Sequence, residues 1–436
     1  MKYVMIRLGI FALLGCLAVT TLPADSKPGI KTDRGVYPLP PAPELSKAGG
    51  TFIDPTFGTT IMRVTDEADG KENMHAYSYW PSFNLSNTFF HILTGEDLGG
   101  KPMLYKFDPK EFKILGKEPL FPENPPGDSK PEWEDCIWSG TDANLIYCRT
   151  KTKIWQYDVV KKEYTLVRDL AKDLPENTSL FQMSKSMNNN VFAFSVDSKP
   201  GEHIGYIIWQ HATDKVLIRT DIKKGWRLDE AQLDKSGLYC VIALKTKQEG
   251  KTVLETPILY IRSGKVENLT TDFVLGHYGN GNGCVVAADD WSKNRITFRK
   301  LATPKHLTAV LELKDDWSQS NHSSLLADNE DWVLISFYVC HDYPSNSPYK
   351  SSGIFKNEII QVSTDGSQKV RRLAHHRSVY MAKENYWDQP RANISRDGKF
   401  VVYTSNWDGK GRRDVFILKV PPISGKIKEA KKSAAI

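Results

Sequence analysis

The segment Gln389-Pro-Arg391-Ala-Asn-Ile-Ser395-Arg-Asp397-Gly398-Lys-Phe400-Val-Val-Tyr403-Thr-Ser405 decides the fold, because its layout recurs along the chain. It consists of a strand, a turn built on Asp-Gly, and an apolar strand. Six earlier copies align with Ser395 at Asn84, Ser139, Ser186, Asp234, about Gly279 and about Ala327. Successive copies are separated by 45 to 68 residues. The chain therefore contains seven copies of one strand-forming unit.

A second hairpin follows each of the first six copies, as in the segment Ile154-Trp-Gln-Tyr-Asp-Val-Val-Lys-Lys-Glu-Tyr-Thr-Leu-Val167. Four strands in roughly 45 to 50 residues form one β-propeller blade, which buries both of its faces only against neighbouring blades. The seven copies predict an all-β chain folded as a seven-bladed β-propeller. The alternative is a sandwich, or two sheets, in which the periodicity is accidental.

The two ends of the repeat region predict how the ring closes. After the last copy only one more strand, Asp414–Val420, is available, so the final blade lacks its outer strand. A matching strand, Thr60–Asp66, occurs near the N-terminus. Pairing this N-terminal strand with the C-terminal blade would seal the ring and remove an exposed sheet edge.

The segments outside the repeats indicate export. Lys2 and Arg7 precede an apolar stretch and Leu22-Pro-Ala24, which is typical of a signal peptide. The predicted organisation is a signal peptide at 1–24, a Pro-rich linker at 25–50, the propeller at 51–422 and a basic disordered tail at 423–436. We expect a secreted or periplasmic protein. Because Leu13-Leu-Gly-Cys16 resembles a lipid-attachment motif, a lipoprotein anchored through Cys16 is one alternative, and an uncleaved anchor is another.

Composition limits the classes of partner. The net charge is +6 and comes partly from the tails, and no basic block with interleaved aromatic residues lies within the repeats. We therefore expect no nucleic-acid partner, no transmembrane segment in the mature chain, and a monomer. Cys136 and Cys148 flank one predicted hairpin turn, which allows either a cross-strand disulfide or two buried thiols.

Candidate site residues follow from the propeller geometry. The loop entering each innermost strand opens on one mouth of the central channel, so side chains just before each repeat core should converge there. These residues are His75, Tyr77, Tyr79, Glu134, Asp135, Gln182, Trp226, Arg227, Asp229, Glu230, His277, Tyr278, His322, His375, His376, Tyr386, Gln389 and Arg391. Five of the ten histidines are in this set, and neutral imidazoles at such a mouth can bind a metal or move protons. The alternative is that they only satisfy backbone groups around a wet channel.

The residues Asn393-Ile-Ser-Arg-Asp-Gly398 followed by Ser405-Asn-Trp407 resemble the WD40-like propeller repeats of the periplasmic Tol-system protein and of oligogalacturonate lyase. Propeller polysaccharide lyases, including the ulvan lyases, place catalytic His, Tyr and Arg at the channel mouth, and His75-Ala-Tyr77 is similar to the first part of such a site. Oligogalacturonate lyase carries a metal-binding Gln and a His-Pro-His-like cluster in a late repeat. The corresponding place in this chain reads Trp387-Asp-Gln389-Pro-Arg391, with Gln and Arg but no histidine.

Two functions of different classes remain open from the sequence. The first is an exported polysaccharide lyase that cleaves uronic-acid glycans by β-elimination. Its assigned groups are His75 as base, Tyr77 or Tyr386 as acid, and Arg391 or Arg227 as the group that neutralises the carboxylate. Substrate contacts are assigned to Tyr79, Asp135, Gln182, Trp226, Asp229, Glu230, Tyr278 and Gln389. If a divalent metal replaces the arginine, its ligands are His277, His322 and His376.

The second function is a noncatalytic propeller that binds a glycan, a peptide or an envelope protein partner. It requires only a polar channel mouth and an aromatic rim. A third and weaker alternative is a hydrolase that acts through paired carboxylates, Asp135 with Asp229 or Glu230.

Overall fold

A computed structural model describes residues 29–269, 275–290, 295–313, 319–339, 353–381 and 386–423. Nearly all of its regular structure is antiparallel β-strand arranged in seven sheets. Among the described residues, short 3₁₀ turns occur at Glu67–Asp69, Ala171–Asp173 and Tyr386–Asp388. The predicted all-β, seven-bladed β-propeller is confirmed.

The strands follow one another from blade to blade in chain order. The first two are β1 (Thr51–Ile53) and β2 (Thr60–Arg63). Blade 1 contains β3 (Phe89–Thr94), β4 (Lys101–Asp108) and β5 (Lys113–Pro119). Blade 2 contains β6 (Ile137–Trp138), β7 (Leu145–Thr150), β8 (Lys153–Asp158) and β9 (Glu163–Asp169). Blade 3 contains β10 (Ser179–Lys185), β11 (Val191–Lys199), β12 (Glu202–Gln210) and β13 (Lys215–Asp221).

Blade 4 contains β14 (Trp226–Leu233), β15 (Tyr239–Gln248), β16 (Lys251–Glu255), β17 (Pro257–Tyr260) and β18 (Val266–Asn268). Blade 5 contains β19 (Gly276–Asn280), β20 (Cys284–Asp290), β21 (Arg295–Lys300) and β22 (Leu307–Glu312). Blade 6 contains β23 (Ser320–Ser324), β24 (Trp332–Tyr338), β25 (Glu358–Ser363) and β26 (Val370–His375). Blade 7 contains β27 (Asn393–Ile394), β28 (Phe400–Ser405) and β29 (Asp414–Lys419), with β2 and β1 outside them.

The ring closes as predicted, through pairing of an N-terminal strand with the C-terminal blade. Met62 in β2 pairs with Ile417 in β29, and the sheet order is β1-β2-β29-β28-β27. The strand β1, which the repeat pattern did not predict, adds a fifth strand outside β2. A buried ion pair joins the two ends, because the Arg63 guanidinium lies 2.7 Å from the Asp414 carboxylate.

The core lies between the blades. Seven clusters of buried apolar residues fill the seven interfaces between adjacent blades, including the one between blade 7 and blade 1. In that interface, Phe83 and Phe90 of blade 1 pack with Phe400 and Val402 of blade 7. Since every blade is covered on both faces, the blades form a closed ring.

Hydrogen bonds in the turn explain the repeat pattern. The side chain of the first aligned residue accepts a hydrogen bond from the backbone N–H five positions later, at 3.0 Å for both Ser395 and Asn84 and at 2.9 Å for Ser186 and Asp234. Gly398 in the last copy has a φ of 73°, in the left-handed region that glycine tolerates best. The recurring Ser, Asn or Asp therefore ties the innermost strand to the next one.

Several terminal predictions fall partly or wholly outside the described residues. The signal peptide, Cys16 and nearly all of the basic tail lie outside them, while residues 29–50 contain one isolated bridge, between Lys31 and Arg372. Within the described ranges, no helix is both long and apolar enough to span a bilayer. Cys136 immediately precedes β6 and Cys148 lies in β7 of the same blade, and both are buried free thiols, so the structure has the thiol alternative.

Candidate functional site at the channel mouth

Loops entering the inner strands of several blades bring aromatic and charged side chains together at one mouth of the channel. Tyr77 comes from the loop before blade 1, and Arg391 from the loop before β27. His277 and His322 lie in β19 and β23, and Tyr386 is in the 3₁₀ turn at Tyr386–Asp388. We call these five residues the mouth cluster. The sequence predicts that the side chains just before each repeat core lie at the channel mouth, and we call this the entrance rule. It brings together residues separated by up to 314 positions in sequence.

Arg391 is the most unusual member of the mouth cluster. Its side chain is fully buried, and among the described residues none of its three guanidinium nitrogens has a hydrogen-bond acceptor. The guanidinium carbon lies 4.4 Å from the centre of the Trp387 ring and 5.9 Å from that of Tyr77. Within the described part of the chain, the nearest carboxylate oxygen paired with it, in Glu134, is 4.0 Å away, beyond hydrogen-bond distance. Aromatic faces therefore hold the cation while its five N–H donors stay available.

A line of hydroxyl and imidazole groups runs beside Arg391. Tyr386 Oη donates to Tyr77 Oη at 3.4 Å, and Tyr77 Oη lies 3.0 Å from His322 Nε2. Tyr386 is 45% exposed, whereas Tyr77 and His322 are buried. Burial raises the pKa of Tyr77 well above 10 and lowers the pKa of His322 well below 6.5, so Tyr77 is protonated and His322 is neutral. The line connects solvent to the interior.

His277 combines a fixed tautomer with a ring nitrogen that forms no hydrogen bond to a described residue. Its Nδ1 lies 2.9 Å from the carbonyl oxygen of Asn321, which can only accept, so Nδ1 carries the proton. The ring stacks on His322 with a centroid separation of 4.2 Å. Burial lowers the pKa of His277, so the ring is neutral near pH 7. Nε2 therefore presents a lone pair, and within the described residues no hydrogen bond occupies it.

Two carboxyl groups flank the mouth cluster. Burial raises the pKa of Glu134 to about 7, and the nearby Arg391 opposes this shift. Burial also raises the pKa of Glu230 to about 7, and the adjacent Tyr79 hydroxyl partly offsets the change. Glu134 keeps 29% of its side-chain exposure. Both carboxyls therefore change charge near neutral pH, where acid-base groups are most useful.

Two predicted histidines have both ring nitrogens bonded to the chain. His75 Nδ1 lies 2.7 Å from Thr404 Oγ1, and His75 Nε2 lies 2.8 Å from the carbonyl oxygen of Arg391. Burial lowers the pKa of His75 to about 3. His376 Nε2 lies 2.7 Å from the Phe337 carbonyl, and His376 Nδ1 accepts from the backbone N–H of Ser378. In these positions, His75 supports the backbone of Arg391, and His376 joins strands of blade 6.

The other predicted residues occupy different surroundings. Asp135 is buried in an ion pair with Arg149, at 2.7 Å. Asp229 forms a 2.6 Å ion pair with Lys245, and Gln182 accepts from Ser195 Oγ at 3.3 Å. These three contacts leave little freedom for a substrate group.

The remaining predicted aromatic, amide and arginine residues lie at two locations, one beside the mouth cluster and one in an outer groove. Tyr79 packs 4.7 Å from the Tyr77 ring and also stacks on Tyr278, while Gln389 is buried beside the mouth cluster. Trp226 and Arg227 instead line an outer groove of about 560 Å³ together with Lys223, Lys224 and Lys199, on the same face of the propeller.

The metal hypothesis does not fit the donor set of the described residues. His277 and His322 are stacked face to face, and both ring nitrogens of His376 are engaged elsewhere. Within the described part of the chain, no group of three or more His, Cys, Asp or Glu side chains could hold a metal ion. We therefore derive no step through a metal.

The entrance rule missed Tyr338, which lies at the end of the second strand of blade 6. Its ring stacks 5.2 Å from His322, and its hydroxyl is 3.4 Å from His277 Nδ1. The rule considers only residues before the innermost strands, so a second-strand residue falls outside it. Tyr338 pairs with Ser320, so it lies next to the start of β23. Extending the rule to the residue that pairs with the start of each innermost strand would have included it.

Comparison with known proteins supports the fold. The chain matches no protein-family model and no curated protein sequence. Among solved structures it is similar to oligogalacturonate lyase from Vibrio parahaemolyticus, with a TM-score of 0.60 and 12% identity over 86% of this chain and 98% of that one. An oligogalacturonate lyase in complex with manganese gives a TM-score of 0.58 and 11% identity over 86% of this chain and 99% of that one.

A weaker match is the β-propeller domain of the Trilobed protease from Pyrococcus furiosus, with a TM-score of 0.43 and 8% identity over 76% of this chain and 89% of that one. At 11–12% identity, the likeness to the two oligogalacturonate lyases shows a shared fold and leaves function to the residues of the site.

Proposed function

We propose that this propeller binds a uronic-acid glycan at the mouth cluster and cleaves it by β-elimination. The observation that carries the proposal is the buried Arg391 guanidinium, which has no hydrogen-bond acceptor among the described residues. An unpaired buried cation is costly, and a bidentate carboxylate is the ligand that matches its fork of donors. Every repeating uronic-acid unit offers such a carboxylate on a ring that can pack against Tyr386 and Trp387.

The chemistry assigns one role to each member of the mouth cluster. Arg391 binds the carboxylate and stabilises the negative charge that forms when the neighbouring C–H proton leaves. His277 Nε2 takes that proton, because it is the neutral imidazole nitrogen with an available lone pair. On binding, Tyr386 redirects the hydroxyl proton that it donates to Tyr77 in the free protein, and it gives this proton to the glycosidic oxygen as the C–O bond breaks and a C=C bond forms. His75 is a positioning residue for Arg391.

The first experiment measures the absorbance of unsaturated uronates. The full chain is incubated with pectate, ulvan, alginate and glycosaminoglycans, each with and without chelator, and we expect a rising signal that survives chelator. His277→Gln should abolish it, and His211→Gln, at an exposed histidine of blade 3, is the matched control. A signal that chelator abolishes would contradict the metal-free assignment.

The same polymers distinguish the noncatalytic alternative. If the polymers bind saturably and Arg391 is required, but no unsaturated product forms, the protein is a glycan-binding propeller and not a lyase. If no uronate polymer binds at all, both forms of the proposal fail.

Export from the cytoplasm is part of the proposal, because polymeric uronates are extracellular substrates for a secreted or periplasmic enzyme. Its support is the signal-peptide pattern that begins with Lys2 and Arg7. N-terminal sequencing of the mature protein tests it, and a retained Met1 would contradict cleavage.

A further inference from the structure

A second cluster of charged groups lies inside the channel, away from the mouth cluster. A cavity of about 70 Å³ is bounded on one side by Tyr79 and Trp80 and elsewhere by residues that follow the inner strands. Lys185, Gln232 and Arg396 are among its lining residues. We call this space the channel cavity.

Long side chains bridge the blades beside the channel cavity. Arg396 of blade 7 donates to the Gly140 carbonyl of blade 2 at 2.8 Å, and its guanidinium also lies 2.8 Å from Asp328 of blade 6. Lys235 of blade 4 donates to the Ala327 carbonyl of blade 6 at 2.6 Å. The bonds from Arg396 to Gly140 and from Lys235 to Ala327 each skip over one intervening blade, so they link non-adjacent blades next to the cavity.

Lys185 is buried without a neutralising partner. It is 9% exposed, and its ammonium group donates to Asn189 Oδ1 at 2.6 Å and to the Ser186 carbonyl at 3.4 Å. No carboxylate of the described residues pairs with it. Burial, reinforced by the nearby Arg396, lowers the pKa of Lys185 to about 7. A buried ammonium in this condition is stabilised by any anion that fits beside it.

A second donor faces the same space. Gln232 is 3% exposed, and its amide nitrogen has no hydrogen-bond acceptor among the described residues. Lys185 and Gln232 belong to neighbouring inner strands, β10 and β14, and both line the channel cavity. Two buried donors with spare N–H groups on one cavity form an anion site that the chain itself does not fill.

We propose that the channel cavity binds one small inorganic anion of the chloride type, held by Lys185 and Gln232 with Arg396 adding positive charge. The size of the cavity sets the class of ligand. One water needs roughly 10–15 Å³ of such space, so 70 Å³ admits a halide with water but excludes a sugar or an organic polyanion. The anion stabilises the ring from its axis and is separate from the proposed lyase chemistry.

The test compares unfolding of the full chain in sodium chloride and in sodium gluconate at equal ionic strength. Gluconate is too large for the cavity, so the comparison removes general salt effects. We expect a saturable rise in Tm with chloride, roughly 3 °C at 100 times its Kd. Lys185→Met should abolish the difference between the salts, while Lys215→Met, at an exposed lysine of β13, should retain it.

A crystal of the wild-type protein grown in bromide supplies a second measurement. It needs no variant, so it does not depend on whether Lys185→Met folds. Anomalous density beside Lys185 would support the proposal. Water alone in the cavity, equal Tm values in the two salts, or a salt difference that persists in Lys185→Met would each overturn it. None of these outcomes depends on whether uronates are cleaved.

Discussion

Replacing Arg391 by methionine should stabilise the free protein and weaken glycan binding at the same time. Methionine fills similar space between Tyr77 and Trp387 but carries no charge. The wild-type protein buries a guanidinium whose nitrogens have no acceptor among the described residues, and the nearest carboxylate is 4.0 Å away. The variant removes that cost, and it also removes the group that we assign to the substrate carboxylate.

The magnitudes follow from opposing contributions. Replacing a buried charge with an apolar residue of similar volume stabilises proteins by about 1–4 kcal/mol. Loss of the contact with Trp387, at 4.4 Å, offsets about 1–2 kcal/mol of this. The two ranges give a net change between a loss of about 1 kcal/mol and a gain of about 3 kcal/mol. Its central value is a stabilisation of about 1 kcal/mol, which is roughly 1 °C in Tm for a chain of 436 residues. Loss of a charged hydrogen bond costs about 1.5–3 kcal/mol of binding, or roughly a 10- to 150-fold rise in Kd.

Denaturant unfolding of the free protein and calorimetric titration with an oligouronide measure the two effects. Arg63→Met is the matched control, because Arg63 is equally buried but bonds to Asp414, Glu67 and the Ser46 carbonyl. Breaking that pair should destabilise the protein by about 3–5 kcal/mol. If Arg391→Met destabilises the free protein to the same extent, Arg391 is a structural residue and the argument for a carboxylate site is refuted.

Four further outcomes are expected. Asp414→Ala should lower the free energy of unfolding by about 1.5–3 kcal/mol in denaturant titrations, since Arg63 loses its buried carboxylate at the ring closure and keeps the more exposed Glu67. A loss below about 1 kcal/mol would mean that the pair does not hold the ends together. Tyr77→Phe should lower kcat by roughly 10²–10⁴-fold with little change in KM, because it removes the hydroxyl between Tyr386 and His322 but keeps the ring. An unchanged kcat would show that the Tyr77 hydroxyl takes no part in proton transfer. Glu134 has a pKa of about 7, and once ionised it competes with the substrate carboxylate for Arg391. Oligouronide affinity should therefore fall as the pH rises through 7. In binding titrations at several pH values, Glu134→Gln should abolish that dependence. Arg227→Ala should change Kd for a short oligouronide by less than about fivefold, since Arg227 lies in the outer groove. A loss of affinity equal to that of Arg391→Met would mean that Arg227 contacts the sugar unit that is cleaved.

Local chemistry made the fold predictable from sequence. Ser395, Ser186 and Asn84 each use a side-chain oxygen to fasten the turn that follows the inner strand, so the same residue types recur at the same place in each blade. The missing outer strand of the last blade also has a local signal, in the apolar β2 segment. These features depend on neighbours within a few residues, which a sequence pattern records.

The environment of each site residue was less predictable, because it depends on distant partners. His75 occupies an entrance position, yet Thr404 and the Arg391 carbonyl, more than 300 residues away, take both of its ring nitrogens. Trp226 and Arg227 also satisfy the entrance rule. They lie in the outer groove because they pack beside the turn between the second and third strands of blade 3, at residues 199–204, which lines the same groove. Sequence position indicated the face of the propeller but not the distance from its axis.

The buried cations of this chain separate structural sites from binding sites. Arg63, Arg149 and Arg372 lie within or between the blades, and each bonds to a carboxylate and a backbone carbonyl. Arg391 and Lys185 differ from these three arginines, since neither has a hydrogen-bonded carboxylate among the described residues. Lys185 lines the channel cavity, and Arg391 lies beside Tyr77 in the mouth cluster. Arg371 is also buried without a carboxylate, but its guanidinium donates to the Gln361 side chain and to the Pro421 carbonyl. Arg391 and Lys185 are therefore the buried cations whose charge the described residues leave most open to an anionic ligand. This distribution of charge is the physical reason to expect anionic ligands along the channel, a glycan carboxylate at the mouth and a small anion within.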